Sequence, residues 1–149
     1  MNLRNVFVIL VLACLSCGIA QAHCEVPCGI YDDHLRIHLI EEHITTIEKA
    51  QQEINTSNWK KKQDQHQLVR WINTKEQHAT MIQEIVSQYF LTQRIKPTMK
   101  GYVDLLKTAH ELLVDASKAK QSAQEQTAQE LRKALGRFEK LYSDATAEK

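Results

Sequence analysis

Beyond Asp33 the apolar positions recur every three or four residues, and no run alternates with a period of two. That is the spacing of helices with one buried face. The first stripe is Ile37, Ile40, Ile44, Ile47 and Ile54, opening near Asp32 or Asp33, either of which is suited to cap free backbone N–H groups. Asn55-Thr56-Ser57-Asn58 then predicts a turn and a fresh cap. A second, longer helix is expected over 59–92, with Leu68, Ile72, Ala79, Ile82, Val86 and Tyr89 on one face. Lys96-Pro97-Thr98 ends it, because the residue before proline is pushed out of helical geometry. A third stripe is Met99, Val103, Leu106, Ala109, Leu113 and Ala116. Ser122-Ala123-Gln124-Glu125 has the form of a capping box, and Ala128, Leu131, Leu135, Phe138 and Tyr142 make a fourth stripe.

Four amphipathic helices with short connections predict an all-α, antiparallel up-down-up-down bundle over 33–149. Proline falls within this stretch only at 97, and glycine only at 101 and 136. There is no Gly-rich phosphate loop, HExxH sequence or Glu-x-x-His pair to give the bundle chemistry of its own. Trp59 and Trp71 read as packing residues, not as a cofactor box. The Lys60-Lys61-Lys62 run reads as a solvated helix start, an unusual place for cations because they oppose the helix dipole.

The first 22 residues differ in kind. Arg4 and the starting amine precede an apolar run over 6–15, and Ala20-Gln21-Ala22 supplies small residues for a cut. The run is shorter than the ~20 residues a membrane span requires, so a removable export signal is expected and not an anchor. A lipoprotein cut before Cys14 would leave the apolar run continuing past it and the Ala-Gln-Ala site unused. Without a twin arginine, the general secretory route is expected, placing the mature chain outside the cytoplasm.

Removing 22 of the 149 residues leaves 127, and Arg4 is the only charged side chain lost, so Lys+Arg and Asp+Glu both stand at 18. A neutral mature chain has no basic field to attract nucleic acid or an acidic membrane surface. Cys14 and Cys17 leave with the signal, which reduces the cysteines to Cys24 and Cys28. A disulfide between them would close a very small loop and constrain the unfolded chain little.

Cutting after Ala22 instead creates a donor set. His23 then offers both a free amine and an imidazole, Cys24 an amide nitrogen and a thiolate, and Cys28 a second thiolate. Amine, amide and two thiolates can lie in one plane with the imidazole above it, an environment that suits nickel(II) or copper(II) better than tetrahedral zinc. Pro27 and Gly29 are consistent with a tight turn that returns Cys28 to the metal.

The stretch His23-Cys24-Glu25-Val26-Pro27-Cys28-Gly29-Ile30-Tyr31 resembles the N-terminal hook of nickel-containing superoxide dismutases, His-Cys-x-x-Pro-Cys-Gly-x-Tyr, at every fixed position. The resemblance implies a superoxide dismutase domain over 23–149, with a metal hook at 23–31. It further implies one nickel ion per subunit, cycling between Ni(II) and Ni(III), as superoxide is disproportionated to dioxygen and hydrogen peroxide. His23, Cys24 and Cys28 would be the ligands, Tyr31 would stand near the open face and order a small anion or water, Val26-Pro27 would be cis, and the assembly would be a homohexamer. Two positions depart from familiar bacterial members. His38 follows Arg36-Ile37 where a glutamate is usual, and His78 follows Lys75-Glu76-Gln77 where an arginine is usual. The two histidines are therefore candidates to replace the pair that supports the axial ligand, unless the alignment slips by a turn.

Other histidines say less. His34 and His38 fall at i,i+4 with Glu41 and Glu42 nearby, a spacing able to share zinc but supplying only part of its usual ligand set. His43, His66 and His110 carry no readable signal. Three functions follow from the hook: a redox enzyme acting on superoxide, a secreted nickel- or copper-binding protein without turnover, and a helical interaction protein with a disulfide loop. The enzyme is the reading adopted. Stable membrane association and nucleic-acid binding are not expected.

Overall fold

The computed structural model describes residues 32–58 and 60–147, and the expected signal, hook and Trp59 lie outside these. Within them the protein is all-helical: α1 (Asp33–Thr56), α2 (Lys62–Glu84), a π-helical segment (Ile85–Arg94), α3 (Tyr102–Gln121) and α4 (Glu125–Thr146). Consecutive helices pack together, and α1 closes against α4, which makes the four-helix bundle. No described helix is long and apolar enough to cross a membrane.

The fourth stripe is as expected, and so is the first except at Ile54. Ile37, Ile40, Ile44 and Ile47 are buried, as are Ala128, Leu131, Leu135, Phe138 and Tyr142. Ile54, Leu68 and Ile72 are only partly covered, so the core thins toward the α1–α2 turn. Asp32 is the N-cap of α1, its carboxylate accepting the His34 N–H at 2.8 Å.

Three local expectations are corrected. The third helix begins at Tyr102 instead of Met99, after Gly101 turns the chain at φ 70°, a left-handed conformation that favours glycine. Its buried face is Leu105, Thr108, Ala109, Leu112, Ala116 and Ala119, while Val103 is 60% exposed. The doublets Leu105-Leu106 and Leu112-Leu113 support two registers one residue apart, and Ala109 and Ala116 belong to both. The chosen register buries the first leucine of each doublet.

The second helix does not stay α-helical to Thr92. It widens at Ile85 and ends with the Ile95 N–H donating to the Phe90 carbonyl five residues back, at 2.8 Å. The wider turn changes which residues face inward, so Tyr89 and Phe90 are both buried although adjacent. Phe90 then meets Phe138 and Tyr142 edge-on, with ring centres 5.0 and 5.2 Å apart. Such pairs add about 0.5–1.5 kcal/mol each beyond the area they bury.

The capping box does not form. Helix α4 is preceded by Gln124 without a side-chain cap bond, and Ser122 Oγ accepts from the Gln124 N–H at 3.1 Å in a local turn. That junction is held from elsewhere. Fully buried Gln51 of α1 donates to Thr127 Oγ1 at 2.9 Å and to the Ser122 carbonyl at 3.3 Å. Lys75, 4% exposed, donates to the Ala119 carbonyl at 2.9 Å and to that of Lys120, satisfying the C-terminal end of α3 with a cation.

The register of α3 is tested by a pair of substitutions. Leu105→Ala should cost about 2–5 kcal/mol of unfolding free energy, whereas Val103→Ala should stay within about 0.5 kcal/mol. Urea unfolding followed by circular dichroism reads both. The reverse order would place Val103 in the core.

Candidate metal centre and its helical platform

The described chain starts one residue after the hook pattern, so α1 is the element that carries it. Its first turn is fixed by Asp33. One carboxylate oxygen accepts from the Tyr89 hydroxyl, and the other from Arg94 Nη2 at 2.6 Å and the Tyr142 hydroxyl at 2.8 Å. The start of α1, the π-helical segment and α4 are thereby joined at one residue. The N-terminus of α1 further favours a negative charge there.

Charge and burial compete at this carboxylate. Burial raises the Asp33 pKa, but hydrogen bonds from Arg94, Tyr89 and Tyr142, with the Arg94 charge, outweigh it and hold the group below its ordinary value. The same contacts act in reverse on the donors. Burial and the Asp33 bond push the Tyr142 hydroxyl up to about 12, and move Tyr89 upward as well. Both phenols stay protonated and keep donating. The guanidinium groups of Arg36 and Arg94 lie 5.4 and 5.9 Å from the Tyr89 ring centre, a cation–π arrangement. Beside this cluster a cavity of about 540 Å³ opens, lined by Asp32, Asp33, His34, Ile37, Glu139 and Tyr142 among others.

His23, Cys24, Cys28 and Tyr31 lie outside the described residues. The two candidate supporting histidines are described, and they are not brought to each other. His38 is exposed, with Nδ1 bonded to Glu41 Oε2 at 2.9 Å and its ring edge-on to His34, centres 4.6 Å apart. His78 instead meets His43 across the α1–α2 interface, Nδ1 to Nδ1 at 3.0 Å. Among the described residues no group of three or more His, Cys, Asp or Glu is placed to hold a metal, so His34 and His38 gain no completed zinc ligand set.

Sequence reasoning missed the Asp33 cluster and the His43–His78 pair. Asp33 was expected only as a cap, and Arg94 lay beyond the expected end of the second helix. His43 sits on the α2-facing side of α1, between the positions of Ile40 and Ile47, which is the one signal that it meets another helix.

The described residues form a four-helix bundle, preceded in the sequence by a stretch rich in nitrogen and sulfur donors. A model of the family described as nickel-containing superoxide dismutase matches residues 18–146, covering the hook and all four helices. The chain belongs to that family: it is a nickel-dependent oxidoreductase whose substrate is superoxide. Comparison with curated proteins and with solved structures found no match to either.

Acid should lower the stability of the protein in two stages. Burial lowers the pKa of both His43 and His78 from 6.5, the neighbouring His78 lowering His43 further and Glu42 partly opposing this. Unfolding restores their ordinary basicity, so protons favour the unfolded chain. Stability is full above about pH 6.5 and falls as pH drops through the lowered folded values. Asp33, depressed from 3.8, adds its loss only below about pH 4. Urea midpoints measured from pH 8 to 3 should show the first decline flattened in a His43→Gln/His78→Gln variant. An unchanged decline between pH 6.5 and 5 would remove the pair as its cause.

Proposed function

We propose that the redox centre of this enzyme is formed by residues 23–31, after the chain is cut following Ala22. The observation that carries the reading is the complete His-Cys-x-x-Pro-Cys-Gly-x-Tyr pattern, which lies inside the matched family span and ends one residue before the cap of α1. The donor set fits nickel. His23 supplies amine and imidazole, Cys24 amide nitrogen and thiolate, and Cys28 thiolate, a soft and anionic set suited to a tetragonal ion. Bound nickel supplies the one-electron couple by which two superoxide radicals and two protons become dioxygen and hydrogen peroxide.

The chain's own residues have separate tasks. Cys24 and Cys28 hold the metal as thiolates, a state that metal binding itself favours by displacing their protons. Tyr31 orders the small anion or a water at the open face. Asp33, two residues later, holds the start of α1 against the π-helical segment and α4, giving the hook a fixed base. One nickel per subunit, a homohexamer with hooks packed against neighbouring subunits, and residence outside the cytoplasm complete the proposal.

The decisive test is where the chain is cut. A form that keeps Ala22 ahead of His23 retains the imidazole and both thiolates but converts the ligand amine into an amide. Its nickel-dependent superoxide turnover should be nearly abolished while circular dichroism stays helical, each N-terminus having been verified by mass spectrometry. Equal turnover in the two forms would show that the amine is not a ligand and would overturn this assignment.

Cys24→Ser and Cys28→Ser should each remove nickel and activity with helical content nearly unchanged, since neither residue belongs to a core stripe. Metal analysis and circular dichroism read both. Loss of helix together with metal would make the cysteines structural.

A further inference from the structure

We propose that His43 and His78 form a second metal site, a two-histidine clip between α1 and α2 for a divalent ion of the copper or nickel type. The site uses none of the residues of the hook. His43 lies midway along α1 and His78 in the second half of α2, and neither side chain is fully buried. Their Nδ1 atoms face each other at 3.0 Å, with ring centres 4.9 Å apart and planes at 78°.

These distances discriminate between two arrangements. Metal–nitrogen bonds of about 2.05 Å across a 3.0 Å gap subtend about 94° at the ion. That is close to the right angle between adjacent positions of a tetragonal ion and below the tetrahedral angle zinc prefers. With the ion on both ring lone pairs, the ring centres fall about 4.7 Å apart; a straight N–H···N bond of 3.0 Å would set them about 5.3 Å apart. The observed 4.9 Å lies nearer the chelate.

Proton accounting presents no obstacle. As a hydrogen-bonded pair, one imidazole carries its proton on Nδ1 and the other on Nε2. On binding, the first shifts its proton to Nε2, so both Nδ1 lone pairs meet the ion and both rings remain neutral. Their lowered basicity keeps them neutral and ready to ligate near pH 7. The Glu42 carboxylate is close enough to favour positive charge at His43, which also favours a cation. Water fills the other coordination positions.

Copper(II) is the probe, because it binds nitrogen sites most strongly among these ions and is visible by electron paramagnetic resonance. The full-length protein with Cys24→Ser and Cys28→Ser is titrated with copper, alone and with His43→Gln or His78→Gln added. Each added substitution should lower the copper bound by one equivalent and remove a signal showing coupling to two imidazole nitrogens. Equal copper binding with and without the histidine substitutions would overturn the site. A second measurement leaves the histidines intact: substoichiometric copper should broaden the ring proton resonances of His43 and His78 together. Broadening confined to other histidines, such as His34 and His38, would overturn it as well.

Discussion

The rest of the structure depends on one carboxylate with three donors. Asp33 accepts from Tyr89, Arg94 and Tyr142, residues on two other elements, and so converts the first turn of α1 into a junction. A half-buried charge is costly unless its lone pairs are occupied. Here they are occupied by a guanidinium and two hydroxyls, and the helix N-terminus adds its own positive field. The apolar stripes hold the bundle together, and the carboxylate pins α1's first turn, which follows the His23–Tyr31 stretch in the sequence.

The π-helical segment makes that junction possible. Extra residues in its turns place Tyr89 toward Asp33 and Phe90 in the core, two directions that neighbouring residues of a regular helix cannot both serve so well. Arg94 then reaches Asp33 from the last residue of the segment. The aromatic cluster of Phe90, Phe138 and Tyr142 continues directly from the polar one, since Tyr142 contributes its ring to the first and its hydroxyl to the second. Packing and polar order are supplied by the same side chains.

Much of the fold was legible because helical stripes are strong periodic signals. Those of α1 and α4 were read residue by residue, and Pro97 marked the break after the second helix. The register of α3 was not legible, because its leucine doublets satisfy two faces equally. The π-helical segment was hidden too: Ile85–Arg94 carries no glycine or proline to mark a change of helix type, and its apolar residues continue the stripe of the second helix. Of the candidate centre, the donor pattern was fully visible as a motif, since ligands close together in sequence need no fold to be recognised. Its support was not. Asp33 lies 56, 61 and 109 residues from its three partners, and His43 lies 35 from His78. Contacts at such separations leave no local trace of which residue the partner is.

Those separations also impose an order of events on biosynthesis. Tyr142 belongs to α4, so the Asp33 junction cannot be completed until α4 has been made and has docked. The first turn of α1 is therefore made well before its footing on α4 exists. A chain that stops short of α4 leaves the first turn of α1 without the Tyr142 hydroxyl that helps to hold it.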